Sequence, residues 1–365
     1  MTFVVPCYNH GHFLPACVRS ILAQTWGDFE VLIMDNCSLD NTADVAQSFG
    51  DSRVKHIRND TNLGHIRNFN KGIALARGKY VWLVSADDSL RDPTVLAHFV
   101  DVMSRSPRVG YIFCRAVEIH GQEEMGTARW TDCGETDAVW DGQTFLSRLT
   151  KNNCIAMSSV MVRRECYDAT LFPADLPFAG DWYIWCTFAM RYQVAYCARP
   201  MVNFRLDEQS LTSTFNRTDA RICLSDEVAV LWRLGCQAKL AGKSWLHRRC
   251  KASLAIRWAE SARLTSETNV PQGLNEVEVS VIVQQHVNDA NDYNDIRAHA
   301  QVIRGDDYYW AGEYDHAARS YLLGIRLQPW RIQSWAKYIL LRMGTLGVRL
   351  RRLRHGRAAR FVTLG

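Results

Sequence analysis

The stretch that most constrains this chain is Lys79–Leu90, KYVWLVSADDSL. Tyr80 to Val84 is a short apolar, β-branched and aromatic run, which reads as a buried strand. It stops in two adjacent carboxylates, Asp87 and Asp88, and a polar turn. A core strand has no packing reason to end this way, because neighbouring like charges repel and each demands a cation, a hydroxyl or water. In open α/β sheets, ligands sit beyond the carboxyl ends of the strands. An acidic pair there is a seat for Mg²⁺ or Mn²⁺ shared with a substrate's phosphates. The plainer reading is a solvated strand-to-helix turn, with Asp92-Pro93 starting the next helix.

Upstream the pattern repeats. Thr2–Pro6, Phe29–Met34 and Val54–Ile57 read as strands. Helices between them are marked by Leu14, Val18, Ile21 and Leu22, by Val45, Ala46 and Phe49, and by Ile66, Phe69, Ile73 and Leu75. Four alternations with short links imply a parallel, doubly wound α/β sheet over the first hundred residues. Downstream, a helix near Thr94–Ser104 precedes a long strand at Val109–Ile119. Gly121–Thr136 is polar and turn-rich and is expected to be a mobile excursion. A short helix at Gly142–Leu149, an apolar run at Ser158–Val162, a helix at Asp181–Arg191 and two strands, Gln193–Cys197 and Met201–Phe204, follow. From Thr218 onward only helices are expected, at Ile222–Leu240, Trp245–Leu264 and Leu274–Val287. The expected organisation is an α/β domain over 1–215, an all-α domain over 216–345 and a basic tail over 346–365. Small and aromatic residues from Gly312 to Pro329 suit two close-packed antiparallel helices, one tetratricopeptide-like unit near 305–340.

At 365 residues and 47% hydrophobic, the chain has material for two such domains. Thr2–Pro6 is too short for a secretory signal, and no run approaches the ~20 apolar residues of a membrane span. Twelve cysteines are scattered with no CxxC pair, which points to reduced core thiols in a cytoplasmic protein, against a disulfide framework or a zinc site. The net charge of +5 is uneven: Arg342 to Arg360 holds seven arginines and no acid. Arg349–Arg354, interleaved with Leu350 and Leu353, suits either peripheral contact with the inner face of an anionic membrane or a solvated end. Terminal basic charge without aromatic stacking partners disfavours nucleic acid.

Polar clusters fall at the ends of the first, second and fourth strands: Pro6-Tyr8-Asn9, Asp35-Ser38-Asp40 and Asp87-Asp88. A shared sheet edge brings them to one site. Tyr8 offers a flat face for a base, Asp35 can accept from a base N–H or ribose hydroxyls, and the strand-end acids can hold a metal on a diphosphate. No GxGxxG follows the first strand and no GxxxxGK[ST] occurs, so neither dinucleotide nor P-loop binding is indicated. His10 and His12 read as loop and helix-start residues rather than ligands.

VVPCYNHGHFLPACVRSILAQTWGDFEVLIMDNCSLDNT and NDTNLGHIRNFNKGIALARGKYVWLVSADD together resemble family 2 glycosyltransferases of the GT-A fold, a Rossmann-like, mostly parallel mixed sheet. GDWYIW and FRLDEQSLT are similar to that family's later acidic-aromatic and Arg-plus-Ser segments, so the likeness covers roughly 2–215. The resemblance implies that Pro6, Tyr8, Asp35 and Ser38, with Asn9 beside them, line a nucleoside pocket. Gly64 and Asn70 would shape the loop under the sugar nucleotide. Asp87 would contact ribose or the donor sugar, Asp88 would hold the divalent metal, Asp181 would be the general base and Arg205 a phosphate or acceptor contact. Two positions depart from the family pattern: Ser85 stands where many members have an acid, and Gly180-Asp181 offers one acid where a pair is common. Asp181 could instead cap the helix after it, and Arg205 could pair with Asp207 or Glu208.

One base on the acceptor face and one metal on the donor face imply inversion at the anomeric carbon. The family resemblance implies transfer from a nucleoside-diphosphate sugar to a hydroxyl of a glycan or lipid-linked acceptor, in surface polysaccharide or glycoconjugate synthesis. Two rivals remain. A sugar nucleotidyltransferase would carry a Gly-rich, Arg-containing loop after the first strand, which Pro6–Gly11 lacks. A non-catalytic scaffold with a degenerate transferase domain is disfavoured by the joint presence of Asp35, Asp87, Asp88 and Asp181.

Overall fold

The computed structural model describes residues 1–206, 215, 220–267, 274–344, 347, 350 and 351, with side chains left aside at 262–267. The chain divides into two compact units, Met1–Asp226 and Glu227–Gly365.

The first unit is built on one mixed sheet. Its strands are β1 (Thr2–Cys7), β2 (Glu30–Asp35), β3 (Val54–Arg58), β4 (Tyr80–Leu83), β5 (Ser89–Leu90), β6 (Val109–His120), β7 (Glu123–Thr127), β8 (Ala138–Trp140), β9 (Val160–Arg163) and β10 (Gln193–Arg205). The order runs β3-β2-β1-β4-β9-β6-β10-β5, with β7 on β6 and β8 on β10. The first four positions are parallel, with Cys7 opposite Asp35 and Val4 opposite Leu83. That register sets the ends of β1, β2 and β4 along one edge, as the alternation of the sequence demands. β9 then runs antiparallel to both β4 and β6.

Helices α1 (Leu14–Leu22), α2 (Thr42–Gln47), α3 (His65–Leu75) and α4 (Val95–Arg105) flank this sheet, followed by α5 (Gly142–Leu149) and α6 (Gly180–Ala189). Leu14, Cys17, Val18 and Ile21 of α1 and Val95, Leu96, Phe99 and Met103 of α4 are buried at helical spacing. Trp82 of β4 is the pivot of the core, stacked between Phe3 (5.6 Å) and Phe99 (4.9 Å). Its indole N–H donates to Ser158 O at 2.8 Å, which satisfies the polar end of a buried ring.

Two expectations are corrected. The Gly121–Thr136 stretch is folded rather than a loose excursion: Glu123–Thr127 pairs antiparallel with β6, and a 3₁₀ turn follows at Arg129–Thr131. Its EEMGT strand is exposed and lacks apolar alternation, so no periodicity marks it. The two strands foreseen at Gln193–Cys197 and Met201–Phe204 are one strand, β10. Pro200 looked like a break, but it sits at register shifts against β6, where a missing N–H is tolerated.

Helix α7 (Ala220–Leu240) carries the boundary between the units. The second unit continues with α8 (Ser244–Glu267), α9 (Glu276–His286), α10 (Ala290–Trp310), α11 (Tyr314–Leu327) and α12 (Ile332–Arg342). α10 and α11 turn at Gly312, whose φ of 85° favours glycine. They pack closely because Gly305 leaves no Cβ, which would stand 2.4 Å from the Tyr321 ring. Among the described residues no helix is long and apolar enough to cross a membrane. The Asp207–Thr212 part of the late segment and most of the arginine tail lie outside the described residues.

Candidate active site

A cleft of about 380 Å³ opens at the shared strand edge. Pro6 and Tyr8 reach it from the end of β1, Asp87 and Asp88 from the turn after β4, Gly64 from the start of α3 and Arg205 from the end of β10. These six of the anticipated residues meet on one wall system. Tyr8 is 42% exposed, with its ring free to meet a planar ligand.

Asp35, Ser38 and Asn9 stand behind that wall and hold its shape. Asp35 is fully buried. It accepts from the Ser38 backbone N–H (2.8 Å), from His56 Nε2 (3.2 Å) and from Arg58 Nη1 (3.0 Å). Burial pushes its carboxyl up, but the bonds from Ser38 and His56 and the Arg58 charge outweigh that and hold it below the usual range. Asn9, at φ 56°, donates its backbone N–H to Ser38 Oγ at 3.0 Å and accepts from the Leu39 N–H at 2.8 Å. The loops after β1 and β2 are thereby locked to each other.

Asp87 and Asp88 part in environment. Asp88 is 4% exposed and accepts from the Ser158 hydroxyl and from the Arg205 backbone N–H (2.8 Å). Burial, then the neighbouring Asp87 charge, pushes its carboxyl well above the ordinary range. Asp87 is only partly buried, and its carbonyl accepts from Arg205 Nε at 3.2 Å. The Arg205 guanidinium also lies 4.6 Å from the Phe13 ring centroid and donates to Gly121 O. Arg205 thus ties the acidic turn to the hairpin after β6. An all-oxygen donor set of this kind suits Mg²⁺ or Mn²⁺.

Asp181 and Asn70 lie off the cleft lining. Asp181 is the second residue of α6, not its cap, which is Ala179. Its carboxylate accepts from the Trp182 N–H (2.6 Å) and from Asn153 Nδ2 (3.0 Å). Burial raises it to about 6, against the pull of those two bonds. Neighbouring contacts lead back to the cleft: His65, at its rim, donates to Pro177 O at 2.8 Å, and a Cβ on Gly180 would touch Ile66 at 3.4 Å. Asn70 pairs with both backbone groups of Phe172, at 2.8 and 3.0 Å, fixing the segment that leads to α6.

Sequence reasoning missed an amide network under the cleft. Asn36 donates to Asn62 Oδ1 (2.7 Å) and accepts from Asn59 (3.0 Å) and from the Leu63 N–H (2.9 Å), while Asn68 donates to Met34 O (2.9 Å). Asparagines in turns are common, and only the three-dimensional closure distinguishes these. His10, set aside as a loop residue, lines the cleft, as does Phe204.

Residues 2–170 match the family model described as Glycosyl transferase family 2. A PGL/p-HBAD biosynthesis glycosyltransferase of Mycobacterium tuberculosis is 29% identical over 187 residues, 50% of this chain and 66% of that protein. Glycosyltransferase GlyG of Streptococcus pneumoniae is 31% identical over 111 residues, 30% of this chain and 37% of that one. The chain thus spans less than two thirds of the length of these relatives. Among solved structures, S. aureus TarS 1–349 in complex with UDP-GlcNAc superposes with a TM-score of 0.52 at 15% identity, covering 93% of this chain and 89% of that one. At that identity the likeness speaks for the fold.

Proposed function

We propose that the chain, whose residues 2–170 match the family 2 glycosyltransferase model, moves a sugar, with inversion, from a nucleoside-diphosphate sugar to an acceptor hydroxyl. The meeting of Tyr8, Asp87, Asp88 and Arg205 in one cleft supports this reading. Tyr8 stacks on the base, in the loop that Asp35, Ser38 and Asn9 make rigid. The diphosphate lies toward Asp87 and Arg205. TarS is described with UDP-GlcNAc bound, so a uridine nucleotide is the first donor to try.

Of the acidic pair, Asp88 would hold the cation and Asp87 would contact ribose or the donor sugar. Asp88 also accepts from Ser158 and Arg205, which sets the turn. A divalent ion held there would neutralise the charge growing on the leaving diphosphate. Asp181 takes the proton from the acceptor hydroxyl. Its carboxyl, raised to about 6, is basic enough to accept a proton and still largely ionised near neutrality. Its bonded neighbours are an amide and a backbone N–H rather than a second acid. Single displacement with one base inverts the anomeric centre, whereas double displacement needs a carboxylate nucleophile as well. A glycan or lipid-linked hydroxyl at the cytoplasmic face, in surface polysaccharide or glycoconjugate assembly, is the acceptor class we assign.

The test is a thermal-shift panel of UDP, GDP, dTDP and CMP with and without Mn²⁺. One diphosphate nucleotide should raise stability by about 2.7 kcal/mol at a hundredfold excess over its Kd, and the shift should vanish without metal. No shift with any nucleotide would overturn the reading.

A further inference from the structure

Helix α12 wears its apolar side outward. Ile332 (80%), Trp335 (42%), Ile339 (53%) and Met343 (43%) are exposed. Their spacing of three, four and four residues puts them on one helical face. Trp330, 74% exposed, extends the strip at its start. The other side of the helix is already used: Ser334 is buried, and Tyr338 and Leu341 pack on the Tyr309–Ala317–Tyr321 cluster. Trp335 also satisfies its indole N–H on Pro329 O at 2.7 Å, so the ring edge carries no polar debt outward. A helix docked by one face on its own core ordinarily shows charge on the other.

Charge does appear, but beside the strip and of one sign. Arg342 lies at its edge, over the Tyr338 ring at 5.7 Å. It opens the run of seven arginines without an acid that ends at Arg360. Arg351 is spent internally on Asp306 and the Tyr321 hydroxyl, which ties the start of the run to α10 and α11, beside α12.

We propose that this face of α12 docks on a bilayer containing anionic phospholipid, lying in the interface plane with Arg342 at its edge toward the headgroups. Tryptophan and aliphatic side chains beside arginine are the composition of interfacial helices. Basic residues near an anionic leaflet add electrostatic attraction that salt screens. A second copy of the chain fits the strip less well, because self-association would bring two such arginine runs together. A nucleic acid would leave Ile332, Ile339 and Met343 against water or phosphate. This surface is independent of the transferase reading and would survive its failure.

The test is co-sedimentation of the full chain with phosphatidylcholine vesicles, with and without phosphatidylglycerol, for wild type and for Ile332→Ser/Trp335→Ser/Ile339→Ser. Wild type should partition onto the anionic vesicles and release as salt rises. The triple variant should bind about tenfold or more weaker, because it removes three apolar anchors from the docking face. These positions are exposed, so the variant should keep its thermal transition, and circular dichroism checks that it has folded. Equal partitioning of both proteins would overturn the proposal. So would wild type that ignores anionic vesicles but forms a dimer that the variant does not.

Discussion

The backbone N–H of Arg205 donates to Asp88 Oδ1 at 2.8 Å across 117 residues of sequence. The acidic turn after β4 and the strand β10 are therefore one structural unit, and the two carboxylates of that turn stand in different environments.

Asp88→Ala and Asp87→Ala should part accordingly. Removing Asp88 strands the Ser158 hydroxyl and the Arg205 N–H, a loss of about 1–3 kcal/mol, seen as a lower Tm without ligand. Removing Asp88 should also abolish metal-dependent stabilisation by nucleotide, while Asp87→Ala should leave the ligand-free Tm nearer wild type and weaken nucleotide-sugar binding. Equal Tm losses in the two variants would contradict this division.

As the proposed base, Asp181 would couple activity to stability in opposite directions. Its folded pKa of about 6 lies above the ordinary 3.8, because burial disfavours the charged form. A group of this sign stabilises the fold fully below its unfolded pKa, and that contribution is lost as pH rises through the folded one. Asp181→Asn should therefore gain Tm over wild type near pH 8 and lose that advantage near pH 4, while turnover falls about 10²–10⁴-fold. Urea or thermal melts at the two pH values, beside a rate measurement, check both halves.

Asn153→Ala gives the same residue a finer probe. Its amide donates to Asp181 Oδ2 at 3.0 Å and favours the ionised form. Without it the acid limb of the kcat/KM profile should move to higher pH. An unmoved limb would mean that Asp181 is not the titrating base.

Tyr8→Ala should raise the nucleotide Kd and leave Tm unchanged, since the ring is 42% exposed at the cleft. Base stacking on an aromatic is worth about 1–3 kcal/mol, or roughly five- to 150-fold. Isothermal titration with the nucleotide found in the thermal panel reads it directly.

Asn36→Ala should weaken both fold and nucleotide binding. It removes one donor and one doubly used acceptor beneath the Asn62–Gly64 wall. A Tm loss with unchanged Kd would place the network outside the binding site.

Strands β1, β2 and β4 were legible because parallel strands buried on both faces read as apolar runs between helical periodicities. The acidic turn was legible because Asp87-Asp88 is anomalous at the end of such a run. What escaped depends on partners remote in sequence. Ser158 meets Asp88 over 70 residues and Asn153 meets Asp181 over 28, and no local pattern in either loop announces those bonds. The split seen around Pro200 shows the same limit: only the register against β6 reveals that a proline can stay within one strand. The outward strip of α12 was hidden because apolar spacing in a helix says that a face exists, not which way it points.

The most direct measurement is nucleoside-diphosphate release from a panel of nucleoside-diphosphate sugars with Mn²⁺ or Mg²⁺, for wild type and Asp181→Asn. The account predicts that wild type turns over one donor only with metal, and that Asp181→Asn loses turnover while keeping the nucleotide-induced thermal shift. Turnover of no donor by wild type, or near-normal turnover by Asp181→Asn, would contradict it.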